Sequence, residues 1–203
     1  MKSSLYRELM SPLEQTVMAV SSALYDPDLL ATTTLTEVRD AISDGQLISK
    51  DVVLMKLETT HFRKGLVVGG WFGLLANMIA LYHDKPVDSL DLDERATNVA
   101  SRVLGNRGAA IQGDAYSFSY KGYDLVVNTS TEHFTRPISD WIKNLQKGAT
   151  VILQNNSDSS IPDHVQCFAT HEAFRDSLGL SFVEESLTLE FPQYLRHMVI
   201  GRV

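Results

Sequence analysis

The chain has 203 residues, 44% of them hydrophobic and 21% charged, which suits one large α/β domain or two small ones and excludes a disordered, collagen-like or disulfide-stapled chain. Eighteen Lys and Arg against 25 Asp and Glu leave a formal charge of -7. That sign argues against gripping an extended nucleic acid, although a local basic cleft stays open. Cys167 is the only cysteine, so no internal disulfide can form, and the opening MKSSLYRELMSPLEQ lacks the apolar core of a secretion signal. A reducing, cytoplasmic setting is expected.

From Ser11 to about Thr59 the pattern is helical, with apolar residues at Leu13, Val17, Val20 and Leu24. A break at Asp26-Pro27-Asp28 follows, and then a second run from Leu35 to Ile42. LISKDVVLMKLE reads as a third helix, capped by Ser49, with Val52, Val53, Met55 and Leu57 on its apolar side. Residues 1–60 are thus expected to form an all-helical N-terminal leader, and 61–203 a second part of the same structural unit. Gly65 to Tyr82 carries no formal charge and is just long enough to cross a bilayer. Gly69, Gly70 and Gly73 break that run and Asn77 interrupts it, so a soluble reading is preferred and no membrane partner is expected.

Beyond residue 60, short β-rich runs alternate with helical ones. GLVVGG, PVDSLDLD, AAIQGDA, YDLVVNTS, GATVILQNN, SFVEESLTLEF and RHMVIGRV are the strand candidates. LLANMIALYH, ERATNVASRVL, ISDWIKNLQ and HEAFRDSL are the helices between them. This alternation predicts a doubly wound, mostly parallel α/β sheet, since each parallel pair needs a crossover that a helix supplies. Between the last two strands only LEFPQYLR intervenes, too short for a helix, so they should pair antiparallel, giving seven strands with the last reversed.

The first strand, Leu66 to Val68, ends in Gly69-Gly70-Trp71-Phe72-Gly73 and passes into a helix at Leu74. Glycines there let a ligand approach the backbone, and amides at a helix start attract an anionic group. The alternative is that they only relieve crowding. The second strand ends in Asp91 and Asp93. An acid at that tip suits ribose hydroxyls, and since Asp93 has the competing role of helix N-cap, Asp91 is the better candidate. The third strand ends in Gln112-Gly113-Asp114-Ala115, where Asp114 either meets a ligand or merely starts a turn. The fourth leads into the polar run Asn128 to His133. Glu132, His133, Asp163, His164, Cys167, His171 and Glu172 all fall in loops or at a helix start where several could converge. Their spacing matches no zinc signature, and no metal is expected. Cys167 has no basic neighbour in sequence and reads as a small apolar residue rather than a nucleophile.

In motif order and length, the stretch from about Gly65 to Val203 resembles the class I S-adenosylmethionine-dependent methyltransferases. The matching motifs are the glycine turn 69–73, Asp91, Gly113-Asp114-Ala115, Tyr123 to Asn128, and Leu145-Gln146-Lys147-Gly148-Ala149, which is similar to the family's L-x-x-G-G turn. The closing reversed strand also fits, and the helical leader is similar to the family's substrate cap. The resemblance implies S-adenosylmethionine as cofactor, held by Gly69, Gly70, Trp71, Gly73, Asp91, Leu92, Asp114, Ala115 and Asn128, with Asp91 on the ribose and Asp114 on the adenine amino group. It places Asn128, Glu132 and His133 on the acceptor side as catalytic candidates. The ordinary imidazole pKa near 6.5 suits His133 to act as a base, with Glu132 as an alternative base or a binder of a cationic acceptor. The other reading of Glu132 and His133 is that they only cap or bridge loops.

Two positions depart from the family: Val67 stands where it has an acid, and Trp71 where it has a glycine. The methionine end would be held differently, or the pocket would be degraded. The segments 128–133, 153–156 and 163–167 resemble a poorly described subgroup of methyltransferase-like proteins of phages and bacteria, which gives no substrate. A nicotinamide dinucleotide is the weaker alternative, because the turn lacks G-x-G-x-x-G. The expected function is therefore methyl transfer to a small molecule or another modest polar acceptor. An inactive binding or regulatory module and an aminopropyl or aminobutanoyl transferase on the same fold are the alternatives.

Overall fold

The computed structural model describes residues 10–203. Residues 1–9, which belong to the expected cap and to the stretch weighed as a secretion signal, lie outside the described residues. Four helices come first: α1 (Pro12–Ala23), α2 (Pro27–Thr32), α3 (Leu35–Ala41) and α4 (Asp44–Leu57). Their starts are written in the sequence. Ser11 with Glu14, and Thr34 with Glu37, form capping boxes, and Asp26 caps α2 with Pro27 in its first turn. The proline expected to mark a break therefore begins a short helix.

Helix α4 corrects the sequence reading. It begins after Ser43, six residues before the expected cap Ser49, which is fully buried in mid-helix. Its buried face is Ser49, Lys50, Val53, Leu54 and Leu57. Met55, expected on the apolar side, is 60% exposed.

The remainder is β1 (Gly65–Val68), α5 (Leu74–His83), β2 (Val87–Asp91), α6 (Glu94–Leu104), β3 (Ala110–Gln112), β4 (Leu125–Asn128), a 3-10 turn at Thr131–His133, α7 (Ile138–Ile142), β5 (Thr150–Asn156), α8 (His171–Leu178), β6 (Phe182–Glu190) and β7 (Leu195–Arg202). The seven strands form one sheet in the order β3-β2-β1-β4-β5-β7-β6. All neighbours pair parallel except β7, which inserts antiparallel between β5 and β6. The four residues 191–194 permit only a hairpin there, so the sequence reading of the reversal holds. None of the described helices is long and apolar enough to cross a membrane. Within the run weighed for that role, β1 and α5 are instead two core elements.

Strands β1, β4 and β5 are buried along their whole length, so successive residues serve opposite faces of the sheet. Val67, Leu125, Val127 and Ile152 pack with Leu75, Met78 and Ile79 of α5 and with Val53 and Leu57 of α4. Leu66, Val68, Val126 and Val151 pack on the other side with Trp141 of α7 and Phe174 of α8. A third cluster joins Val20 of α1 to Phe72 and to Val99 and Val103 of α6. The buried Asn77 amide of α5 donates to the Thr16 hydroxyl of α1 at 2.8 Å, tying the leading helices to the sheet layer.

Candidate functional site

Strand order reverses between β1 and β4, and there the two crossovers leave in opposite directions and open a crevice at the carboxyl ends of the strands. A cavity of about 710 Å³ fills this crevice. It is walled by the β1 turn, the tips of β2 and β3, the loop after β4 and, from above, residues of α3 and α4. Its size falls in the range of about 300–1000 Å³ usual for small-molecule sites.

The glycine turn divides into separate jobs. Gly69 (φ 63°) and Gly73 (φ 75°) both have left-handed backbones. A Cβ on Gly69 would find only Ser130 Cβ at 3.8 Å and Asn128 Oδ1 at 4.0 Å, so its requirement is conformational. A Cβ on Gly73 would stand 3.0 Å from Ala100 Cβ and 3.2 Å from Ala100 Cα, so Gly73 lets α6 pack against the turn. A Cβ on Gly70 would overlap the Ser89 hydroxyl. Gly69, Gly70 and Trp71 line the cavity, and Gly73 is not among its lining residues. Trp71 itself has φ 45°, the conformation a glycine adopts freely, and its ring stacks on Phe72 at 4.7 Å between centroids.

Three amides of this turn are engaged inside the protein. Gly70 N donates to Leu90 O at 3.1 Å, Gly73 N to Gly70 O at 2.8 Å, and Trp71 N to Asp91 Oδ2 at 2.7 Å. The anionic group held by the Trp71 amide is thus the protein's own Asp91. Asp91 Oδ1 accepts from Asp93 N at 3.0 Å, so each carboxylate oxygen keeps a further lone pair, and Asp91 lines the cavity. Asp93 caps α6 through Arg95 N at 2.8 Å. Leu92, 72% exposed, adds an apolar rim.

Asp114 and Ala115 also line the cavity. Asp114 Oδ1 accepts from Tyr116 N at 2.9 Å, the turn-starting role, and Oδ2 meets Arg136 Nη2 at 3.2 Å. The Arg136 guanidinium lies 3.8 Å from the centre of the Tyr116 ring. Tyr116 donates its hydroxyl to the Arg136 carbonyl, and burial is the first cause that pushes its pKa up to about 12. These two residues form a flat, aromatic-cationic edge of the cavity that the sequence reading missed.

On the acceptor side His133 lines the cavity with Thr129 and Ser130, whereas Asn128 and Glu132 stand behind that wall. Asn128 is fully buried; its Oδ1 accepts from Ser130 N at 2.7 Å and its Nδ2 has no partner. Glu132 is 2% exposed. Asn155 of β5 stitches the neighbouring loops, donating to Thr131 Oγ1 at 3.0 Å and Gln166 O at 2.8 Å and accepting from Phe168 N at 3.1 Å. Of the seven potential ligands, Glu132, His133 and His164 converge, with one ligand atom from each within 4.8 Å of the others. Asp163 contributes only its carbonyl to His133, Cys167 Sγ bonds Asp158 O at 3.2 Å, His171 stacks on His197, and Glu172 is exposed. Burial, then the charges of Glu132 and Asp158, raise the Cys167 thiol pKa, which fits a thiol that stays protonated.

Lys50 and Gln46 of α4 reach the cavity from above, and nothing in the sequence singled them out. Lys50 Nζ donates to Gln46 Oε1 at 2.6 Å and has no carboxylate partner among the ion pairs of the described residues. Burial, and behind it the charge of Arg196, lowers its pKa to about 7. Burial therefore favours the uncharged form of this amine.

No family model and no curated protein sequence matches this chain. Solved structures do. The mitomycin 7-O-methyltransferase MmcR is 14% identical, with a TM-score of 0.65 over 95% of this chain and 67% of its own. The S-adenosylmethionine-dependent methyltransferase SibL, in its apo form, is 17% identical, with a TM-score of 0.65 over 98% of this chain and 72% of its own. Magnesium protoporphyrin IX methyltransferase (ChlM) of Synechocystis PCC 6803, solved with bound S-adenosylhomocysteine, is 16% identical, with a TM-score of 0.62 over 84% of this chain and 90% of its own. The chain has the Rossmann-like methyltransferase fold.

Proposed function

We propose that this chain is an S-adenosylmethionine-dependent methyltransferase acting on a small molecule or another modest polar acceptor. The observation that carries the reading is Asp91: a β2-tip carboxylate that opens on the cavity at the strand reversal, with a lone pair on each oxygen free of the protein. The residues fit the cofactor. Gly69 has no side chain at the cavity wall, Asp91 suits a ribose diol, Asp114 and Ala115 would flank the adenine, and the unpartnered Asn128 Nδ2 lies beside the turn. Gly70, Trp71 and Leu92 would complete the wall, and Gly73 would act only by keeping the turn in place.

When bound, the cofactor supplies a sulfonium methyl for in-line transfer to a nucleophile. The protein then needs to hold two partners in register and, for some acceptors, to remove a proton. His133, on the cavity wall, is the candidate base, with Glu132 and Asn128 behind it fixing that loop. Lys50 of α4, which also lines the cavity, is a second candidate. The cap proposed for residues 1–60 finds support in α3 and α4, which supply Asp40, Ala41, Gln46 and Lys50 to the cavity. The cytoplasmic setting and the likeness to the phage and bacterial subgroup belong to this proposal.

Calorimetry with S-adenosylmethionine and S-adenosylhomocysteine tests it. Binding of both, near one equivalent, is expected, and binding of neither overturns it. Turnover of a candidate acceptor separates an active enzyme from a binding module. With an acceptor in hand and cofactor saturating, wild-type turnover in His133→Ala, Glu132→Gln and Asn128→Ala together would remove this loop from the catalytic site.

A further inference from the structure

Glu132 is 2% exposed, and its Oε2 has no hydrogen-bond partner. None of the ion pairs among the described residues includes it. A bare carboxylate oxygen in a buried position is costly unless a cation or a donor reaches it. The backbone that carries it is fixed: Val165 N and Gln166 N both donate to the Glu132 carbonyl, at 2.9 and 3.0 Å, and the Thr131 hydroxyl donates to Gln154 O at 2.7 Å. Its position is thus set by two loops and a strand.

Two imidazoles stand beside it, ring centres 4.9 Å apart and nearly perpendicular. His133 Nδ1 lies 3.0 Å from Asp163 O, and His164 Nδ1 lies 2.7 Å from Asp158 O. A carbonyl only accepts, so each Nδ1 carries a proton, and in the neutral ring each Nε2 keeps its lone pair. Histidines that ligate metals are held in this way, with one nitrogen donating to a carbonyl and the other left for the ion. One ligand atom from each of the three residues lies within 4.8 Å of the others. Metal bonds of about 2.0–2.2 Å require the ligand atoms to approach to roughly 3–3.5 Å, a contraction of an ångström or so that side-chain rotation can supply.

We infer that Glu132, His133 and His164 form a binding site for a divalent d-block cation of the zinc class. Three protein ligands leave at least one position open, and because His133 lines the cavity, that position would take an oxygen or nitrogen of the acceptor. The role of the open position rests on the methyltransferase reading; cation binding does not. A metal-bound His133 is no longer a base, and the cation's polarisation of a bound hydroxyl would take over that role.

The test uses the full chain without an affinity tag, stripped by chelator, with no S-adenosylmethionine present. Co²⁺ is titrated while the visible ligand-field bands are followed, and Zn²⁺ binding is measured by calorimetry. One equivalent of each cation is expected, with affinity weakened at least about tenfold in both Glu132→Gln and His164→Ala. Thermal melting of the metal-free variants checks that they fold, and His133→Gln supplies a third variant should either fail. Absence of a stoichiometric site, or a site that survives Glu132→Gln and His164→Ala in folded protein, overturns the inference. Cation uptake without S-adenosylmethionine binding would leave this site standing and remove the methyltransferase reading, and the reverse result would do the opposite.

Discussion

Lys50→Met replaces the one ammonium that α4 buries over the cavity with an apolar chain of similar length. Lys50 is 9% exposed, and its pKa falls from 10.5 to about 7, chiefly through burial. Between those two values the unfolded chain keeps a proton that the folded chain has lost, so stability rises with pH across that window. The slope approaches about 1.4 kcal/mol per pH unit for one full proton, and the whole window bounds the penalty at neutral pH at about 5 kcal/mol. Structural relaxation and water entry reduce that bound, and a gain of about 1–3 kcal/mol for the variant at pH 7 is expected. Urea unfolding of both proteins at several values from pH 6 to 10 gives the difference in stability, in which every other titrating group cancels. The advantage of Lys50→Met should be largest near pH 6 to 7 and shrink steadily toward pH 10. A difference that stays flat with pH would refute the claim that this amine is buried without a counter-charge.

Asp91→Ala removes both the candidate ribose acceptor and the partner of Trp71 N and Asp93 N, so cofactor affinity should fall by about 1.5–3 kcal/mol, roughly ten- to hundredfold, together with a lower Tm; calorimetry showing unchanged affinity would take Asp91 out of the site. The two left-handed glycines should part company: Gly73→Val, facing Ala100 at 3.0 Å, should fail to fold or lose more than about 2 kcal/mol, whereas Gly69→Ala, whose Cβ would make only ordinary contacts with Ser130 and Asn128, should cost about 1–2 kcal/mol of backbone strain. Equal melting temperatures for the two variants would contradict this division.

Much of the architecture is local information. Alternating apolar runs, the cap Asp93 and the short connection before β7 are consequences of near neighbours in the chain, so the sheet, its strand count and its final reversal were legible in advance. That Gly69, Gly70, Trp71 and Asp91 lie at the crevice was legible as well, because the strand-reversal rule places strand tips there. Pairing alone was not enough to locate α4, since its first turn reads D-G-Q without a strong apolar repeat and its buried face carries Ser49 and Lys50.

What the tertiary structure decided depends on contacts between residues far apart in sequence. Gln154 of β5 donates its amide to the Ser49 carbonyl at 3.1 Å across 105 positions, and that docking turns an ordinary helical lysine into a buried amine over the cavity. Gly73 is a glycine for the sake of Ala100, while a Cβ on Gly69 would clash with nothing and only its φ demands glycine, a difference invisible in their shared turn. Glu132 and His133 meet His164 only because the loops after β4 and β5 are bonded to each other through Val165, Gln166 and Asn155. Chain sequence sets which groups are available, but burial and loop closure set their charge and their partners, and those arise from the packed whole.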